Sequence, residues 1–181
     1  QQIMVSRSFG RLTSSPHDLR EALRQHAARA GEKLRAQQSV TSAVMVFVRT
    51  NAFRQDLPQY RNRVVVTLDC PTDDSRELIH AAIQGLRQLW RNGYAYHKAG
   101  VMLLDLSPKA NRQLTLTEKP QTEEEAKRSE RLMATVDKLN RELGRGTIQL
   151  GLPRAGNAWA LRSEHRTPRY TTRWEELPAV R

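Results

Sequence analysis

The stretch AVMVFVRTNAFRQDLPQYRNRVVVTLD, residues 43–69, decides the architecture. Residues 43–50 and 63–69 are both rich in β-branched side chains, which suit a pleated, half-buried surface. Between them lie Asn51, Asp56, Pro58 and Asn62, the residue types of a connection, so the segment predicts two adjacent strands.

Reading outward from this pair, residues 2–9 predict a first strand, with Ile3 and Val5 alternating with polar neighbours before Gly10 ends the run. Ser15 then suits an N-cap, Pro16 the first helical position and Asp18 the third. Leu19, Leu23, Ala27, Ala30 and Leu34 fall on one face of the helix that follows, which is expected to end between residues 35 and 38. Downstream of the strand pair, Asp74 or Ser75 caps a second helix, with Leu78, Ile79, Ala82, Ile83, Leu86, Leu89 and Trp90 at helical spacing and Asn92 and Gly93 as its stop. Residues 94–105 predict a fourth strand. The order β-α-β-β-α-β is the ferredoxin-like arrangement of the α+β class: two helices cover one face of a four-stranded antiparallel sheet and the other face stays open. Arg49, Arg63 and Lys98 lie in or at the ends of strands, where alternate residues share a face, so some of them can line a common surface.

Charge gives that surface a partner. The chain has 181 residues, a net charge of +11 and 24 Arg among its 30 cations, and the planar guanidinium fork matches phosphate oxygens. Residues 1–67 hold 11 basic and 4 acidic residues, so the excess of the first half is expected on a phosphate-facing surface of the early strands. A polyanion, nucleic acid before a membrane surface, is the expected ligand. No apolar run approaches the roughly 18 residues of a membrane-spanning helix, and the chain opens on Gln1 without a secretory signal, as expected of a piece of a longer protein. The single cysteine, Cys70, can form no internal disulfide and suits a reducing cytosol.

No catalytic constellation stands out. His17, His26, His80, His97 and His165 are scattered, and one cysteine supplies no zinc spacing, so no metal centre is expected. Asp73 and Asp74 sit where a helix cap is wanted. Gly144, Arg145 and Gly146 lack the remainder of a phosphate loop and read as a helix stop. Neither strand of the pair carries the aromatic motif of RNA-recognition modules, which favours phosphate-backbone contacts over base stacking.

After Pro108 the composition becomes linker-like through residue 121. Thr122 and Glu125 form a capping box for a third helix of about twenty residues, with Leu132, Val136, Leu139 and Leu143 as its apolar stripe and Gly144 as its stop. Residues 145–181 hold 7 Arg against 3 acids, with Trp159, Tyr170 and Trp174 as anchors of a small module.

Four motifs in order resemble the C-terminal part of UmuC-type enzymes, the Y-family translesion DNA polymerases of bacteria. They are Val5-Ser6-Arg7-Ser8-Phe9-Gly10, Val48-Arg49-Thr50, Lys98-Ala99-Gly100-Val101-Met102-Leu103 and Pro168-Arg169-Tyr170-Thr171-Thr172-Arg173-Trp174. The resemblance implies that residues 1–108 are the little finger domain, which grips template-primer DNA, that residues 109–121 are a linker and that residues 122–181 are a small C-terminal domain. It implies DNA contacts from Ser6, Arg7, Ser8 and Phe9, from Arg49 and Thr50, and from Tyr96, His97 and Lys98. Arg63 joins them from the strand pattern. Gln113, Leu114, Thr115 and Leu116 are similar to the sliding-clamp motif of the family, with Thr117 where the family commonly has Phe. The same resemblance implies a cytoplasmic SOS-repair protein that meets a UmuD′-like subunit and RecA. The Mg2+-binding carboxylates would lie in a palm preceding Gln1, so neither catalytic residues nor a cofactor is expected in this chain. A protein-interaction module for the clamp or another polymerase subunit is the competing reading.

Overall fold

The computed structural model describes residues 1–111, 123–144 and 146–151. The elements run β1 (Ile3–Thr13), α1 (Pro16–Ala36), β2 (Ser39–Thr50), β3 (Arg61–Thr72), α2 (Ser75–Leu89), β4 (Tyr96–Pro108), a 3-10 turn (Lys109–Asn111) and α3 (Glu123–Glu142). The predicted α+β order is therefore observed, as one four-stranded sheet in the order β1-β4-β2-β3 with every neighbouring pair antiparallel. β4 and β2 are central; β1 and β3 are the edges.

The strands run further than predicted, for reasons that lie in their pairing. β1 continues past Gly10 because, after an irregularity, Thr13 pairs with Tyr96. β3 passes through Pro71, which an edge strand tolerates because the missing N–H can face away from the ladder. β2 starts at Ser39 because the far end of β4 reaches it, with Ser39 opposite Pro108.

Both helices lie on one sheet face. The helix side of the sheet includes the rows Ile3–Leu103–Val44–Val66 and Val5–Val101–Val46–Val64, and α1 covers it with Leu19, Leu23, Ala27, Ala30 and Leu34, all fully buried. α2 adds Leu78, Ile79, Ala82, Leu86 and Leu89. Each such large side chain removed from water contributes about 1.5–3 kcal/mol. Ser15 caps α1 by accepting from the Asp18 N–H, and Asp74 caps α2 by accepting from the Arg76 N–H, as the sequence predicts.

α3 is close to the predicted twenty residues, and the chain leaves it through Gly144 at φ +103°, a left-handed conformation that glycine adopts without strain. Thr122 of the capping box lies outside the described residues. The predicted apolar stripe is only partly the buried one. Met133 is the buried residue, Val136 and Asp137 are half-buried beside it, and Leu132 and Leu143 are exposed. Polar contacts turn the helix this way. Arg35 of α1 donates from Nε and Nη2 to both oxygens of Asp137, at 2.6 and 2.7 Å, and from Nη1 to the Asp73 carbonyl and Ser75 Oγ. Ser129 donates to Asp74, and Lys109 bridges Asp73 and Glu130. Satisfying these groups over the ends of α1 and α2 outweighs burying two more leucines.

Candidate nucleic-acid interface

The face opposite the helices is laid out by register. Because side chains alternate along a strand, residues paired across four strands form rows on one face. One open-face row is Ser8–Lys98–Arg49–Arg61, and the next is Ser6–Gly100–Phe47–Arg63. The third row is apolar, Met4–Met102–Met45–Val65, with Met4 52% and Val65 50% exposed. The cations are thus gathered at one end of the open face.

Among the described residues, those cations lack a carboxylate partner. Arg24, Arg29, Arg35, Arg54 and Arg76 each pair with a carboxylate, at Glu21, Glu32, Asp137, Asp56 and Asp74. Arg49, Arg61, Arg63 and Lys98 form no ion pair among the described residues. Their combined field therefore points outward, at a place where two serine hydroxyls can also donate to an anion.

Of the residues expected to face DNA, Ser6, Ser8, Arg49, Arg63 and Lys98 lie on this surface. Others do not. Phe9 is 4% exposed and belongs to the core, as alternation from Ser8 requires. Tyr96 is fully buried; its hydroxyl donates to the Arg91 carbonyl and accepts from the Arg91 N–H, and its ring meets Tyr60 edge-on at 6.2 Å. Thr50 is buried as a staple of the β2–β3 loop, donating to Gln59 and accepting from the Tyr60 N–H. Arg7 pairs opposite Ala99, in the row with buried Val48, so it emerges on the helix side at the β1 edge. His97 is the extra residue of a β4 bulge, between Tyr96 opposite Thr50 and Lys98 opposite Arg49, and is half-buried. Gln113, Leu114, Thr115 and Leu116 lie outside the described residues, as do Trp159 and the motif from Pro168 to Trp174. Arg61 was missed by starting β3 at Arg63; its signal was the two-residue spacing that puts both arginines on one face.

The basic end also acts through the sheet. His26 of α1 is buried, and desolvation first, then the positive charges of Arg7 and Lys98, lower its pKa from 6.5 to about 4. At the other end of the domain, burial raises the Asp74 carboxyl, but hydrogen bonds from Arg76 and Ser129 outweigh it and leave the group below its ordinary value. Asp74 is thus a charged cap. Among the described residues, no group of three His, Cys, Asp or Glu side chains is placed to hold a metal, and no helix is long and apolar enough to cross a membrane.

An open antiparallel sheet face with a cationic end, backed by two helices, defines an α+β domain of the β-α-β-β-α-β class. The chain belongs to the impB/mucB/samB family, whose C-terminal domain matches residues 1–116. Residues 130–180 match a second domain, DUF4113, of unknown function. Among its relatives, Protein UmuC of Salmonella typhimurium is 39% identical over 183 residues, covering 100% of this chain and 42% of that protein. Protein ImpB of Salmonella typhimurium is 40% identical, with 100% and 42% covered, and Protein MucB of Escherichia coli is 41% identical, with 98% and 41% covered. The chain thus spans about two fifths of the length of the curated relatives it matches. A solved complex of a beta-clamp processivity factor with the little finger domain of PolIV is matched at a TM-score of 0.42 and 16% identity, covering 65% of this chain and 100% of that one.

Proposed function

We propose that this chain is the DNA-gripping, regulatory C-terminal part of a UmuC-like, error-prone Y-family translesion polymerase of bacterial SOS repair. In this reading residues 1–108 form the little finger domain, 109–121 a linker and 122–181 a small C-terminal domain, while polymerisation and its Mg2+ belong to a palm elsewhere in the parent protein. The single observation that carries the reading is the cationic row Lys98–Arg49–Arg61, without an ion-pair partner among the described residues, extended by Arg63 and flanked by Ser8 and Ser6. Such a row suits phosphates, positions DNA without reading its sequence, and leaves chemistry to another domain.

The test is the salt dependence of template-primer binding. Four phosphate contacts give a slope of log K against log salt of about −3 to −4, since each contributes about −0.9. Binding that does not weaken with salt removes the proposal. Recruitment of the sliding clamp through Gln113, Leu114, Thr115 and Leu116, and of a UmuD′-like subunit and RecA, belongs to the same reading, as does a cytoplasmic location. The alternative, a protein-interaction module, is favoured by one observation, the outward Leu132 and Leu143 of α3. Template-primer binding separates the two readings, since an interaction module alone binds none; a clamp titration of Leu114→Ala and Leu116→Ala variants tests whether the linker serves the clamp, lost clamp binding with intact DNA binding being the expected result.

A further inference from the structure

Along the β2–β3 connection an aromatic residue stands on each side of the Arg49–Arg61 pair, and neither belongs to the core. Phe47 occupies the open-face row next to that pair, half-buried, two residues or about 7 Å along the strand. Its ring edge lies over Gly100, in space that any side chain there would fill. Together with Met45, Arg49, Arg61 and Arg63 it lines a recess of about 500 Å3 between β2 and β3. On the other side, the loop joining β2 to β3 carries Phe53, which is 93% exposed. The loop is well bonded around it. The Phe53 N–H donates to Asn51 Oδ1, the Arg54 N–H to the Asn51 carbonyl, the Arg54 guanidinium to both oxygens of Asp56, and Gln59 Nε2 to the carbonyls of Arg54 and Leu57. Phe53 is thus a large aromatic presented to water on a hydrogen-bonded loop that joins the ends of β2 and β3 where Arg49 and Arg61 pair, and its ring face is open to a flat ligand.

We infer that this end of the sheet is a binding site for single-stranded DNA, in which unpaired bases stack on Phe47 and Phe53 while Arg49, Arg61 and Arg63 hold the phosphates between them. An unpaired strand offers what the site presents: a backbone charge at each nucleotide and a flat apolar face beside it. A closed duplex offers the charge but keeps its base faces stacked. The site adds stacking to the phosphate contacts that the missing aromatic motif favours, because the register brings Phe47 to the open face without that motif. The inference rests on the phosphate reading above and adds a strand preference to it.

The experiment uses the full chain with a single-stranded oligonucleotide carrying 2-aminopurine and with a blunt duplex of the same sequence, each titrated at several salt concentrations. Phe53→Ala and the volume-conserving Phe47→Leu are compared with the parent, with thermal unfolding as the check on folding; Phe53, being exposed, should leave it unchanged. Each variant is expected to weaken single-strand binding roughly 5- to 100-fold, to abolish its share of the 2-aminopurine quenching, and to change duplex affinity less than twofold. The salt slope should stay the same, since no phosphate contact is removed. Equal losses on both DNAs, or no loss of single-strand binding in Phe53→Ala, overturn the stacking site. An unchanged slope in an Arg49→Ala/Arg61→Ala variant instead overturns the phosphate reading beneath it.

Discussion

Phe9 and Arg61 show how much turns on the parity of one residue. The run from Ser6 to Phe9 resembles a DNA-contacting motif, but in a strand only alternate members can face the same way, and Ser6 and Ser8 take the open face. Phe9→Ala should therefore cost about 3–5 kcal/mol of stability, the range for emptying a core site, and leave the salt slope of binding unchanged in whatever fraction stays folded. Arg61→Ala, absent from the motif, should flatten that slope by about one unit with little change in unfolding. Both follow from chemical denaturation and salt titration of the same two variants. His26 offers a third residue-scale outcome. Its folded pKa, about 4, lies below the 6.5 of an unfolded histidine, so between these values the unfolded chain binds more protons. Stability is then complete above pH 6.5 and falls by about 3 kcal/mol as the pH drops to 4, and a His26→Gln variant should lose that dependence in denaturant titrations across the window. A flat profile in the parent would show that His26 titrates normally.

At the scale of elements, helix caps and helix faces were legible because they are local. Ser15, Pro16 and Asp74 act over three or four residues, and a 3.6-residue period suffices to find Leu19 through Leu34. Strand ends are not, since they depend on partners far along the chain: Pro71 is admitted only because β3 is an edge, and Thr13 extends β1 only because Tyr96 is opposite. α3 failed in part for the same reason. Its leucines formed the better stripe, but the groups it had to meet were the guanidinium of Arg35 and the cap at Asp74. Asp137→Ala should thus cost about 2–4 kcal/mol, more than Leu132→Ala or Leu143→Ala, because it strands a mostly buried guanidinium while those side chains are already in water. Gly100 belongs here too. A methyl group at that position meets the Phe47 ring and Ser6, so Gly100→Ala should weaken DNA binding by displacing Phe47 from the recess; unaltered binding would show that the ring has another place to go.

For the whole molecule, net charge is a poor guide to where binding occurs. The sequence carries +11, and the segment from Arg145 to Arg181 is as arginine-rich as any. Yet, among the described residues, Arg49, Arg61, Arg63 and Lys98 are the cations that the register gathers at one end of the open face without an ion-pair partner, and with Ser6, Ser8 and the two aromatics they all lie before residue 99. The site was half visible in the sequence, as three strand cations; the missing half was the register that lines them up. A chain ending after Asn111 should therefore keep a salt slope within one unit of that of the full chain and the same single-strand preference. It should also unfold at a temperature several degrees lower, because the loss of α3 strips Arg35 of Asp137 and Lys109 of Glu130 and uncovers the surface that Met133 packs on. If truncation flattens the slope by two units or more, phosphates are also held beyond residue 111, and the cationic row is only part of the grip.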